Sequence, residues 1–470
     1  MTRLVAVSNR VMASTRAAGG LAVGVLAAMK SHGGLWFGWS GKMAADGTAG
    51  VGVTVRDNVE FATFDLPRHD FDLYYAGFCN GTLWPLFHYF VGGLRYSPAQ
   101  FDAYVRVNRL FAERLAPLMR DDDLVWVHDY HLMHLGRELR ARGVTRPLGF
   151  FLHIPFPHVE ALRALPRYGD LIRALLEYDV VGFQTPRDIA SFRSAVVDAL
   201  GASALYHDEV RRPHGRTRLG VFPIGVDVDA IRRESRQSQA SRIVKRMSAG
   251  LRGRRCVIGV DRLDYSKGLV ERFESYEMLM QAHEERLSHV TFLQIAPLSR
   301  SDVQAYRTIR KSLEQTAGRI NGAFAETDWT PIRYLNRDFS HDVLMGFLRN
   351  AAVGVVTPVR DGMNLVAKEF VAAQDPSDPG VLVLSTLAGA AEELGDALLV
   401  NPHDRRDVAD AIDTALDMPR EERRARHERM IRVLEHNDVH AWCARFVAEL
   451  ERSHQSRRPE PMVVRSAAHV

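Results

Sequence analysis

Cysteine is scarce in this chain, and lysine nearly as scarce. The three cysteines, Cys79, Cys256 and Cys443, are odd in number, far apart and without metal-ligand spacing. This excludes a disulfide framework and fits a reducing cytoplasm, with Cys256 expected in the core of a strand. Lysine occurs only at Lys30, Lys42, Lys245, Lys267, Lys311 and Lys368, so nearly all of the 61 basic residues are arginine. Scattered arginines read as solvated surface; lysines in loops after strands, Lys267 above all, are the ones to follow. Long apolar runs are missing too. None approaches a bilayer span, and the opening MTRLVAVSNR has no secretory apolar segment, so neither a membrane nor a secreted protein is expected. An excess of one charge is also absent: +4 over 470 residues gives no basis for a nucleic-acid partner.

What is present is apolar content, 46% of a long chain, enough for two sizeable cores. The expected class is α/β, with two doubly wound domains over residues 1–228 and 229–435. A helix over 436–454 is expected to return to the first domain, and the Arg-, Pro- and Ser-rich 455–470 to be disordered.

In the first half, strands alternate with helices. LVAVSNR (Leu4 to Arg10) is a strand ending in a polar loop. A helix then opens at Gly19-Gly20, where bare backbone either admits a phosphate or lets helices pack closely. GGLWFGWSG (Gly33 to Gly41) is an edge strand or a sugar-stacking wall, and Arg56 to Leu66 alternates like one further strand. The run Tyr74, Tyr75, Phe78, Trp84, Phe87, His88, Tyr89 and Phe90 fits core better than cleft wall, with Asn80-Gly81-Thr82 as a turn. Strand Leu124 to Val127 leads into the loop His128 to His131, which puts Asp129 at a carboxyl end, where open α/β sheets bind ligands. His128, His131 and His134 straddle loop and helix with no recurring carboxylate or cysteine beside them, so no metal site is expected. Asp121-Asp122-Asp123 lies at the amino end of that strand and reads as a solvated turn. LGFFLHIPFPH places His153 at the end of another buried strand; DVVGFQT and RTRLGVFPIGVD complete the series, with a crossover at Pro223 and Gly225.

A solvated helical stretch, Ile231 to Arg255, precedes a second set. Strand Cys256 to Val260 enters a loop in which Arg262 and Lys267 stand five positions apart, so both cations can converge on one diphosphate at the next helix N-terminus. HVTFLQIAPLSR repeats the pattern, with Arg300 beyond its strand. Val353 to Ala373 is the most informative stretch: a strand, a turn at Pro358, the loop Arg360-Asp361-Gly362-Met363-Asn364, then a helix. Asn364 suits the N-cap, and the helix start offers free N–H groups to an anion or a sugar hydroxyl. Asp361 can accept from a hydroxyl, and Glu369 can hold a vicinal diol such as a ribose. The plainer alternative is an Asp-Gly turn before a solvated Lys368–Glu369 pair. Strand-end loops with cations and few carboxylates suggest an enzyme working on a phosphorylated small molecule between two domains.

Taken in order, SNR with AGGLAVG, GLWFGWSG, HDYHL, FLHIPFP, VDRLDYSKG, QIAPLSR and RDGMNLVAKE resemble the trehalose-phosphate synthase family of retaining glycosyltransferases. The resemblance spans nearly the whole chain up to about the last twenty residues, and the number and order of the strings make it specific. It implies two Rossmann-like domains facing across a cleft (GT-B) and transfer of glucose from UDP-glucose to glucose 6-phosphate, with retention and with no metal or other cofactor. By matching motif positions it implies Arg10, Trp39, Tyr75, Trp84, Asp129 and Arg300 at the glucose 6-phosphate, and Gly19 and Gly20 against the donor. Arg262 and Lys267 would hold the diphosphate, Phe339 the uracil side, Glu369 the ribose and His153 the transferred sugar. Asp361, with the backbone of Gly362, Met363, Asn364, Leu365 and Val366, would grip the donor glucose and phosphates. His153, Arg262, Lys267 and Asp361 are the residues expected to carry the catalysis. A cytoplasmic homo-oligomer, dimer or tetramer, is expected.

Other readings compete. A related transferase could use GDP-glucose or glycerol 3-phosphate, a pseudo-glycosyltransferase could join a cyclitol to an amine, and a regulatory homologue would be silent. The intact set of residues that would grip the sugar speaks against the second, and the presence of Arg262, Lys267 and Asp361 against the last. A nucleotide-dependent oxidoreductase is disfavoured by the missing dinucleotide spacing. No second carboxylate stands out as a nucleophile of the paired glycosidase type.

Overall fold

Runs such as LVAVS, LVWVH and VGVV are apolar on both faces, the composition of strands covered by helices on either side. The computed structural model, which describes residues 3–11, 25–26, 29, 33–44, 50–212, 215–298 and 304–455, pairs them into two largely parallel sheets. The first contains β1 (Leu4–Arg10), β2 (Gly34–Ala44), β3 (Gly52–Arg56), β4 (Val59–Pro67), β5 (Leu124–His128), β6 (Leu148–Phe151), β7 (Val180–Phe183), β8 (Leu205–Tyr206), β9 (Glu209–Arg212) and β10 (Gly215–Val221). Their spatial order is β3-β4-β2-β1-β5-β6-β7-β10-β9-β8. The second contains β11 (Arg255–Val260), β12 (Val290–Ile295), β13 (Ile332–Leu335), β14 (Val353–Val356), β15 (Val381–Ser385) and β16 (Leu398–Val400), ordered β13-β12-β11-β14-β15-β16 and parallel throughout.

Both sheets grow outward from their first strand and then reverse, between β1 and β5 in one and between β11 and β14 in the other. At such a reversal, the loops leaving neighbouring strands run to opposite faces and leave a crevice at the carboxyl ends. Each domain therefore carries one crevice by construction.

The domains are joined twice. After β10 the chain crosses over at Ile224 to Asp227, and it returns at Asn437 to Val439, where the Val439 amide donates to the Val226 carbonyl at 3.3 Å. The crossings touch so closely that a Cβ at Gly225 would collide with the backbone of Asn437 and Asp438. The returning helix α1 (Val439–Gln455) lies on the first sheet, with Trp442 and Phe446 against Trp126 at ring-centroid separations of 4.6 and 4.4 Å.

Several expectations are corrected. The strand expected over Arg56 to Leu66 is β4, Val59–Pro67, but the first residues of that stretch are a hairpin turn from β3, because Asp57 and Asn58 adopt φ of 46° and 62°. Asn80 to Thr82 form no turn; they lie in a π-helical stretch, Phe71–Leu83, where buried Asn80 takes the Tyr130 hydroxyl at 2.8 Å. Asp123 is not solvated: it is buried and receives Nε and Nη2 of Arg3, each at 2.8 Å, which ties β1 to the start of β5. All three cysteines are buried, Cys256 on β11 as expected. Gly19, Gly20 and residues 456–470 lie outside the described residues. No described helix is long and apolar enough to cross a membrane.

Candidate active site

The second crevice is built from charge. Buried Arg272, at the start of the helix after β11 (α2, Leu269–Ala282), donates to Asp261 at 2.5 Å, Gln294 at 3.0 Å and Thr357 at 3.0 Å. It thereby ties together the ends of β11, β12 and β14, a role no local sequence signal revealed. On that platform the loop after β11 presents Lys267, and the loop after β14 presents Asp361; their side chains form an ion pair. Asp361 also receives the Gly362 amide at 3.0 Å and Asn364 Nδ2 at 3.0 Å. Burial pushes the Asp361 carboxyl up, but Lys267 outweighs it, with His88 and Arg262 adding, and the group sits below the usual carboxylate range.

Asn364 does occupy the N-cap position of α3 (Leu365–Ala373), but at φ 68° its side chain turns to Asp361 instead of capping. The helix start therefore keeps amides of Leu365 and Val366 without intrahelical acceptors, in the turn that follows Asp361. Met363 and Gly362 are buried: the Met363 carbonyl takes the Ala390 amide at 2.9 Å, and a Cβ on Gly389 would collide with the Gly362 carbonyl. The solvated Lys368–Glu369 pair does not exist. Lys368 is fully buried and bonded to Glu393 and to the Ile224 carbonyl at 2.7 Å, while Glu369 stands 3.7 Å from His341. Phe339 lies under Arg337, whose guanidinium is 4.5 Å from the ring centroid.

The first crevice is built from rings. Arg10 leaves β1 exposed, with its guanidinium 5.9 Å from the centroid of Trp39, its register partner midway along β2. Trp39 meets Tyr75 at 5.7 Å, and Tyr75 stacks on His131 at 5.8 Å. Asp129, at φ 76°, turns sharply out of β5 and accepts the His153 amide at 3.2 Å. Arg10, Trp39, Tyr75 and Asp129 are thus gathered at one strand-end cluster; Arg300, expected with them, lies outside the described residues.

His153 joins the two halves. A Cβ on Gly362 would collide with the His153 carbonyl, so the two strand-end loops meet backbone to backbone. The His153 ring shares a 3.2 Å hydrogen bond with His128 Nδ1. His128 Nε2 is buried without a partner, which favours the tautomer that donates from Nδ1 to His153 Nε2. His153 then offers its other N–H as a donor, and burial, with His128 beside it, holds its pKa well below the ordinary value. His128 and His134 are likewise neutral, lowered by burial to about 3 and about 4.

The aromatic run divides between two uses. Tyr74, Phe78 and Phe87 are core, whereas the end of the run faces the second domain. Arg262 lies 5.5 Å from the Trp84 centroid, Arg360 lies 4.5 Å from Tyr89, and Tyr265 packs on Phe90 at 4.8 Å. Arg262 and Lys267 therefore do not yet point together: one rests on the opposite domain, the other on Asp361. Among the described residues, the group with metal-binding spacing is His283, Glu285 and Asp413, where Arg286 already neutralises Asp413 at 2.7 Å and which lies at the amino end of β12.

Two parallel α/β domains with facing strand-end crevices define a GT-B glycosyltransferase. The chain belongs to glycosyltransferase family 20, whose model matches residues 2–452. It is 47% identical over 464 residues to a trehalose-6-phosphate synthase from Klebsiella pneumoniae subsp. pneumoniae, covering 97% of this chain and 98% of that one. A UDP-forming α,α-trehalose-phosphate synthase from Burkholderia xenovorans, solved in complex with glucose-6-phosphate, superposes with a TM-score of 0.93 at 48% identity, covering 96% and 100%. An E. coli structure bound with UDP-2-fluoro glucose gives a TM-score of 0.91 at 45% identity, covering 96% and 99%.

Proposed function

We propose that this protein transfers glucose from UDP-glucose to glucose 6-phosphate with retention, giving α,α-trehalose 6-phosphate and UDP. The observation that carries the reading is the meeting of a cationic crevice and a ring-lined crevice at His153 and Gly362. The similarity to synthases solved with glucose-6-phosphate and with UDP-2-fluoro glucose supports it.

In this reading the donor diphosphate draws Lys267 off Asp361 and Arg262 off Trp84, and the amides at the start of α3 complete its seat. As the glycosyl bond breaks, negative charge grows on the leaving oxygen. Fixed donors there are worth roughly 10²–10³ in rate each, and these cations take the part a divalent ion plays elsewhere. Asp361, held by Lys267, Asn364 and the Gly362 amide, orients the glucose rather than attacking it. His153 donates to the sugar as a neutral ring. The acceptor, held by Arg10, Trp39, Tyr75, Trp84, Asp129 and Arg300, attacks from the face of departure, and its proton passes to the leaving phosphate oxygen.

The proposal includes a metal-independent reaction in the cytoplasm by a homo-oligomer, dimer or tetramer. A panel of UDP-, GDP- and ADP-glucose against glucose 6-phosphate and glycerol 3-phosphate, with and without a chelator, tests it by nucleotide release and product mass. Trehalose 6-phosphate from UDP-glucose under chelation is expected; its absence, with turnover on another pair, overturns the assignment. Light scattering gives the oligomeric state.

A further inference from the structure

Two residues past Phe339, the loop after β13 enters the helix α4 (His341–Arg349), whose first residue faces two other helices. His341 Nδ1 lies 2.6 Å from Glu234, on the helix Val228–Gln237 that follows the first domain crossing. Its Nε2 lies 3.7 Å from Oε1 of Glu369 on α3. Burial disfavours a charged ring, but the two carboxylates override it and raise the group to about 10. Both nitrogens are thus protonated and both are committed.

Glu369 is largely buried, with a side chain 14% exposed, and Oε1 is the oxygen that faces the ring. A glutamate has three torsions to settle before it can meet both hydroxyls of a diol. A carboxylate pair alone, near a diphosphate, would also repel the donor. An imidazolium between Glu234 and Glu369 answers both problems: it fixes one oxygen and leaves the other for the ligand, and it offsets one of the two charges.

We propose that His341 is a positioning residue for the nucleoside end of the donor, clamped between Glu234 and Glu369 so that the Glu369 carboxylate is held ready for the ribose hydroxyls. This rests on the reading of Glu369 as the ribose contact. Phe339, Arg337 and His341 then form one continuous wall from base to sugar, built from a single loop and helix start.

The test compares UDP-glucose with 2′-deoxy- and 3′-deoxy-UDP-glucose in the full-length protein, as wild type, His341→Asn and Glu234→Gln. His341→Asn is expected to raise KM for UDP-glucose about ten-fold, the weight of one charge-assisted hydrogen bond. It should leave kcat and the KM for glucose 6-phosphate within about two-fold, and the discrimination between ribo and deoxy donors should shrink. Glu234→Gln, at a half-exposed position, should shift the same ratio in the same direction by a smaller factor and serves if the ring is needed for folding. A wild type that does not distinguish the donors overturns the ribose contact at Glu369 and the proposal with it. A wild type that does, with variants that lose equally on every donor or not at all, overturns the role of His341 alone.

Discussion

The two crevices share a topology and differ in material. In the second domain the reversal between β11 and β14 is built on paired charges, Lys267 with Asp361 and Arg272 with Asp261, and two further pairs, Lys368 with Glu393 and His341 with Glu234, stand around α3. In the first, the reversal between β1 and β5 is lined by tryptophan, tyrosine and histidines held neutral by burial. On the function proposed above, the contrast follows from what each crevice would hold. A diphosphate needs mobile positive charge at a site that is tolerable when empty, and an ion pair that opens on binding gives that. A sugar needs shape, flat surfaces and oriented hydrogen bonds, which rings give without the desolvation cost of buried ions.

Breaking one side at a time tests this division. The largest effect is expected from Lys267→Ala, about 10²–10³ in turnover, with glucose 6-phosphate binding by calorimetry unchanged; equal loss of both would mean that the two crevices are not separate functions. Next is Gly362→Ala, which places a methyl against the His153 carbonyl where the halves meet. It should cost about 10² in kcat/KM, the scale of a ~1 Å misplacement, while each substrate alone still binds; retained activity would show that this contact is not part of the productive state. Arg10→Ala comes third, raising KM for glucose 6-phosphate about ten-fold with UDP binding intact. A matching loss of UDP affinity would place Arg10 on the wrong side of the division.

The last test concerns pH, and reads stability rather than turnover. His88, His128 and His134 in the first domain are lowered by burial, to about 4, 3 and 4 from 6.5. Below pH 6.5 the unfolded chain binds protons that the folded domain refuses, so stability is present above 6.5 and falls as pH drops toward 4, by about 1.4 kcal/mol per pH unit for each group. His341 has the opposite sign: raised to about 10, it stabilises below 6.5, and its contribution is lost as pH climbs through 10. His427, lowered by burial, is an acid-sensitive group in the second domain. Hydrogen exchange at pH 5 should therefore loosen the first domain before the second. Uniform loosening would count against the contrast.

Much of this was legible along the chain because strand, loop and helix are contiguous there. Lys267, Asp361, Asp129 and His153 each follow a short buried strand, and the rule that ligands sit beyond carboxyl ends places them without knowledge of neighbours. What stood opposite them was not legible. Arg3 with Asp123, Arg272 with Thr357 and His341 with Glu234 are 120, 85 and 107 positions apart, and no local period reports such partners. Asp57-Asn58 was a turn signal hidden by alternation on both sides, and Asn80-Gly81-Thr82 was a turn signal overruled by helical packing. The aromatic run mixed two environments, and only the fold could separate the rings that fill a core from those that meet the other domain.

The paired crossings near Gly225 carry a mechanical consequence. Two strands of chain lying side by side act as two pins of one hinge, leaving a single easy swing and resisting shear and twist. Lys368, anchored on the Ile224 carbonyl from α3, the helix proposed to seat the donor, sits at the pin itself. Whatever reseats that helix is levered directly into how far the jaws open, so removing the chain beyond His436 would free the motion in every direction and leave two halves that no longer arrive in register.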